Sequence, residues 1–130
     1  MVYDRSMRNF IAASLVLAAA VAYAVESKAP SAPVREFKSV NIEVKGNKIW
    51  TPSFFVVKKG EKVKITLINT APSGVHAFAI EGIPGTEASV DNKEGANTKT
   101  VEFTADKPGI YRIFCPIHPG HVGGQLLVLE

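Results

Sequence analysis

Phe54-Phe55-Val56-Val57-Lys58-Lys59-Gly60-Glu61-Lys62-Val63-Lys64-Ile65-Thr66-Leu67 reads as two strands around a turn. Val63, Ile65 and Leu67 alternate with Lys64 and Thr66, the period of two that buries one face of a sheet, and Lys59-Gly60-Glu61 breaks the run with a turn signal. Outward from this hairpin-like stretch, Phe37, Val40, Ile42 and Val44 suggest an earlier strand. Later strands are predicted over Val75 to Ile80, Thr98 to Thr104, Gly109 to Phe114 and Gln125 to Leu129. Nothing has the period of a long amphipathic helix, and Glu87 to Ala96 has room for a turn of one at most. Seven or eight short strands, rich in β-branched and aromatic residues and separated by Gly, Pro, Asn and Asp, predict an all-β chain folded as an antiparallel β-sandwich.

The chain has 130 residues, enough for one domain, and its charge of +3 comes from scattered lysines, which excludes nucleic acid as an expected partner. Residues 1–24 carry Arg5 and Arg8, an apolar run from Phe10, and Ala22-Tyr23-Ala24, the layout of a signal peptide for export to the periplasm or an equivalent extracytoplasmic space. The run is short for a membrane span, and left uncleaved it would serve as a membrane anchor. Residues 25–36, with Pro30 and Pro33 among Ser, Ala and Lys, read as a flexible leader, which leaves 37–130 as the domain. A single cysteine rules out an internal disulfide, and in an exported protein a lone thiol is a liability unless something occupies it.

A metal is the natural occupant. The chain has one Cys and three His; Cys115, His118 and His121 fall within seven residues, Cys115-Pro-Ile-His118-Pro-Gly-His121, and His76 lies upstream. A thiolate and imidazoles suit copper or zinc. A lone Cys is usually an inert buried residue and a lone His a satisfied one. Those readings lose force here because the sandwich layout brings all four to one pole, with the loop joining the last two strands and His76 opening another. The only methionines, Met1 and Met7, precede the expected cleavage point, so no thioether is available.

These residues are where the chain resembles the cupredoxins, the small copper-binding Greek-key β-sandwiches, with nitrosocyanin-like and plastocyanin-like members nearest in pattern. The resemblance covers about residues 40–130 and is carried by Phe55 to Leu67, Val75-His76-Ala77-Phe78-Ala79-Ile80, Phe103 to Tyr111 and Cys115-x-x-His118. It implies one copper ion per chain, cycling between Cu(I) and Cu(II), with Cys115 and His118 as equatorial ligands and His76 as the upstream ligand. Nitrosocyanin looks to have a carboxylate at the place of His76. The methionine that follows the Cys by eight positions in plastocyanin-like loops is replaced by Gly123. Three candidates remain for the weak axial position: His121, the amide oxygen of Gln125, or water, and His118 and His121 are open to exchanging roles. Asn69 resembles the Asn that steadies the Cys loop in many cupredoxins, with a turn-forming Asn as the plainer alternative.

The function implied is electron transfer with a redox partner such as a cytochrome or a copper oxidoreductase, docked on an apolar rim of Val75, Ile83, Pro84, Ile117 and Pro119. The alternative is a nitrosocyanin-like centre with an accessible position that binds or converts a small molecule such as nitric oxide. Zinc in the same donors would be redox-silent.

Overall fold

The computed structural model describes residues 32–130. The expected signal peptide and most of the expected leader lie outside the described residues. Nine strands follow: β1 (Val34–Val44), β2 (Asn47–Thr51), β3 (Phe54–Lys58), β4 (Lys62–Asn69), β5 (His76–Ile80), β6 (Ala88–Val90), β7 (Thr98–Thr104), β8 (Gly109–Phe114) and β9 (Gly124–Leu129). They form two sheets, ordered β2-β1-β4-β7 and β3-β9-β8-β5-β6. No helix occurs among the described residues, and the Glu87 to Ala96 stretch contains the short strand β6 followed by turns.

The period of two decides what faces inward. In β4, Val63, Ile65 and Leu67 are buried between half-buried or exposed Lys62, Lys64 and Thr66, and in β3 Phe55 and Val57 are buried between exposed Phe54, Val56 and Lys58. These side chains meet Trp50, Phe78, Val101, Ile113, Leu126 and Val128 in one core. Each large apolar side chain buried there contributes about 1.5–3 kcal/mol. Trp50 and Phe78 meet edge to face at 5.9 Å and Phe37 tilts against Phe55 at 5.0 Å, which locks the two sheets together through rigid rings.

The sandwich departs from expectation in three ways. It has nine strands: β6, with three residues, is too short for a periodic signal, and β2 sets Ile49 beside Trp50 and so lacks the alternation. β1 starts at Val34, inside the span read as leader, because Val34, Arg35 and Glu36 pair with Lys62, Val63 and Lys64 of β4. The sheets are mixed, with β1 parallel to β4 and β3 parallel to β9. Side-chain alternation has the same period in either direction, so it carries no information on this point.

Two features position the functional end. Lys45 and Gly46 both have positive φ (50° and 81°), the demand of a tight two-residue hairpin, and they return the chain as β2 with Val44 opposite Asn47. In the other sheet β5 and β8 run antiparallel with Ala79 opposite Phe114, so Cys115, the next residue, falls beside the start of β5, where His76 stands.

Candidate metal centre

His76 is fully buried at the first position of β5. Its Nε2 lies 2.8 Å from Ser73 Oγ, which fixes the ring, and its Nδ1 is buried with no hydrogen-bond partner. A buried polar atom without a partner is costly and calls for an explanation. Cys115 is buried, and its Sγ accepts the Ala77 N–H at 3.3 Å. His118, on the exposed Pro116 to Gly120 turn, brings its Nδ1 to 3.7 Å from Cys115 Sγ. One ligand atom from each of His76, Cys115 and His118 lies within 4.8 Å of the others. Donors held about 2.0–2.3 Å from a shared ion in a trigonal array stand roughly 3.5–4 Å apart, so the three groups fit one metal. A thiolate with two imidazoles is a donor set for copper or zinc.

The model of the cupredoxin-like domain family matches residues 13–128. This chain is a cupredoxin.

Solved cupredoxin-fold structures agree with that membership at the level of fold. Auracyanin from Roseiflexus castenholzii is 19% identical with a TM-score of 0.57, covering 76% of this chain and 100% of its own. The copper nitrite reductase from Nitrosomonas europaea is 20% identical with a TM-score of 0.62, over 75% of this chain and 42% of its own. McoA multicopper oxidase from Aquifex aeolicus is 14% identical with a TM-score of 0.61, over 75% of this chain and 30% of its own. This cupredoxin thus spans less than half the length of the oxidase and reductase chains it matches. No curated protein sequence matches it.

The electrostatics suit a cation in the cupredoxin site. Burial pushes the pKa of His76 down from 6.5 to about 4, aided by His118, His121 and Lys48, while Glu43 pulls the other way. Burial likewise lowers His121. The imidazole of His76 is therefore neutral at working pH, and the tautomer that donates Nε2–H to Ser73 Oγ leaves the Nδ1 lone pair for a metal. In the metal-free chain the unfolded state takes up a proton on His76 below pH 6.5 while the folded state resists until about pH 4. Stability must then fall as pH drops through that window, by about 3 kcal/mol at most for this group. Urea midpoints of the metal-free protein between pH 7 and 4 check this, and a His76→Phe variant is expected to lose much of the slope.

The fourth expected ligand is placed differently. His121 is buried with its ring centroid 5.2 Å from that of His76, but its Nε2 lies 2.9 Å from Asn41 Oδ1 and its Nδ1 3.1 Å from Val122 O. Gln125 is exposed on β9 and lines a separate hollow with Phe54 and Arg112, away from the donors. At Gly123, the place of the missing methionine, a Cβ would stand 2.8 Å from Ile113 O, so this backbone has no room for a side chain there. Asn69 does not touch the Cys loop: it bonds Gly74 O, Val90 O, the Ala71 N–H and Asn41. The sulfur of Cys115 is steadied by the backbone N–H of Ala77 instead. Ile83 and Pro84 leave the expected rim, since β5 carries the chain from His76 to the opposite end, where both line a hollow with Tyr111 and Val128.

Several residues of the site escaped the sequence reading. Trp50 donates its Nε1–H to Ala77 O at 2.9 Å and stacks on His121 with centroids 6.4 Å apart and rings at 29°. Asn41 and Ser39 are fully buried on β1. A parity signal was present for these two: with Phe37 facing in, period two puts Ser39 and Asn41 on the inner face, where polar residues require partners.

Proposed function

We propose that this cupredoxin is a mononuclear copper electron carrier of the periplasm or an equivalent extracytoplasmic space. The observation that carries the proposal is the orphaned, buried Nδ1 of His76, a residue that β5 holds in one group of possible ligands with Cys115 and His118. When bound, copper supplies a one-electron exchange between Cu(I) and Cu(II), for which a Cys and two His in near-trigonal array serve both states. Ser73 fixes the His76 ring, Ala77 N–H tempers the charge on the thiolate, and Pro116 and Pro119 stiffen the loop, so the donors keep their places when the charge changes. Arg5, Arg8 and the apolar run after them support export, and the membrane is involved only if that segment is retained.

Electrons would leave through the exposed side of His118. Beside it in the chain stand Ile117 and Pro119, and Val75 adjoins His76; Val75 and Ile117 are 39% and 47% exposed. A small apolar face of this kind suits a transient partner, a cytochrome or a copper oxidoreductase. Ile117→Lys is expected to slow exchange with such a partner roughly tenfold while the copper spectrum stays the same. Stopped-flow reduction measures it, and an unaltered rate removes this face from the docking surface.

One observation favours a second reading. A cleft of about 480 Å³ opens over His76 and His118, lined also by Lys48, Ser73 and His121. It offers space for a small molecule such as nitric oxide at the metal. Absorption and electron paramagnetic resonance spectra of the copper form separate the two: a carrier is intensely coloured and indifferent to azide, nitrite and nitric oxide, whereas an open site changes its spectrum with them. A colourless Cu(II) form removes both readings, and zinc as the tighter occupant removes the redox function.

A further inference from the structure

We propose that His121 is a positioning residue and not a copper ligand: its Nε2–H heads a hydrogen-bonded chain, His121–Asn41–Asn69, that fixes the Cys115 to His118 loop against the turn before His76. The inference rests on the copper reading above and deepens it.

The direction of the chain follows from its far end. Asn69 Oδ1 accepts the Ala71 N–H at 3.0 Å, and its Nδ2 donates to Gly74 O at 2.7 Å and Val90 O at 2.9 Å. Three backbone partners of fixed polarity leave the amide one orientation. Asn41 then donates its Nδ2 to Asn69 Oδ1 at 3.0 Å, which turns Asn41 Oδ1 toward His121. An amide oxygen only accepts, so the His121 Nε2 facing it at 2.9 Å carries the proton.

The other ring nitrogen also stays outside the group of donors that His76, Cys115 and His118 form. Nδ1 faces a second acceptor, Val122 O, at 3.1 Å. Both nitrogens of His121 thus point at oxygens, whereas His76 Nδ1 points at none. To reach a metal through Nε2, His121 must give up its proton and strand the buried oxygen of Asn41.

The surroundings hold it in place. Asn41 and Asn69 are register partners across the β1–β4 pair, so the sheet sets the span between their amides. Trp50 stacks on the His121 ring, Val122 N–H donates to Lys48 O at 2.8 Å, and Ile49 bridges Val122. At the near end His121 N–H donates to His118 O at 3.0 Å, and at the far end Asn69 grips Gly74, two residues before His76. One polar chain therefore ties both ligand-bearing segments to the same sheet. Supporting shells of this sort set metal affinity through the ligands they orient.

The test uses the full chain with ¹⁵N-labelled imidazoles. Nuclear magnetic resonance of the metal-free and Cu(I) forms is expected to report Nε2–H on His121 in both, while the Nδ1 signals of His76 and His118 move on Cu(I) addition. A His121 nitrogen that shifts to a metal-bound position, or an Nδ1–H tautomer in the metal-free protein, overturns the proposal. Two variants add an independent arm. His121→Gln keeps an N–H donor toward Asn41 and is expected to retain the Cu(II) absorption maximum and hyperfine pattern of the parent; a changed pattern counts His121 among the ligands. Asn41→Leu removes no metal donor yet is expected to weaken Cu(I) binding about 10–100-fold, and unchanged or tighter binding overturns the chain. Failure of the copper reading itself is visible separately, as a parent protein without a thiolate band.

Discussion

Cys115→Ser abolishes the intense visible absorption of the copper-loaded protein and weakens Cu(I) binding by more than about 100-fold, since even the loss of an outer-shell partner costs 10–100-fold. The thiolate is the one soft, anionic donor among the three groups that converge, and a serine hydroxyl stays protonated and hard beside His76 and His118. The fold has little reason to change. Cys115 Sγ accepts the Ala77 N–H at 3.3 Å and lies 3.7 Å from His118 Nδ1, and a hydroxyl oxygen accepts the same backbone bond. The metal-free variant is therefore expected to melt within about 1 kcal/mol of the parent. The contrast shows in thermal scans with copper: the parent gains stability as RT ln(1 + [L]/Kd), and the variant gains almost none over the same concentrations. A variant that keeps its colour would place the coloured centre elsewhere in the chain.

Sequence reached the three converging donors because their residue types are scarce and their chemistry is narrow. It reached seven of the strands because alternation is a local property, visible in Val63, Ile65 and Leu67 without knowledge of their partners. What it missed is set by contacts between distant segments. The contacts that hold His121 are of this kind: its Nε2 faces Asn41, 80 residues away, and its ring stacks on Trp50. Trp50 lies on β2, where it adjoins Ile49 and no alternation marks the strand. Strand direction was invisible for the same reason, since pairing β3 with β9 joins Phe54 to Gln125. Of the expected rim, Val75, Ile117 and Pro119 adjoin His76 and His118 in the chain, while Ile83 and Pro84 follow a strand that leads away from them.

The choice of glycine after the metal loop is part of the same long-range geometry. Gly124→Ala is expected to destabilise the protein by about 3 kcal/mol or more, the range of severe overpacking against backbone. A Cβ at Gly124 would stand 2.8 Å from both Ser53 C and Ser53 Cβ and closer still to Ser53 O. That carbonyl cannot withdraw, because it accepts the Gln125 N–H at 2.8 Å at the head of the β3–β9 ladder, where Phe54 meets Gln125 and Phe55 meets Leu126. Relief would shift β9 and loosen Leu126 and Val128 from the core. Gly120, four residues earlier in the same loop, is the internal control: a Cβ there meets nothing within 4 Å and no positive φ is required. Gly120→Ala is expected to be neutral or to stabilise by a few tenths of a kcal/mol, through the unfolded chain. Urea denaturation of the two metal-free variants measures the difference. Equal midpoints would mean that β9 does not close against Ser53 at Gly124 as tightly as this backbone requires.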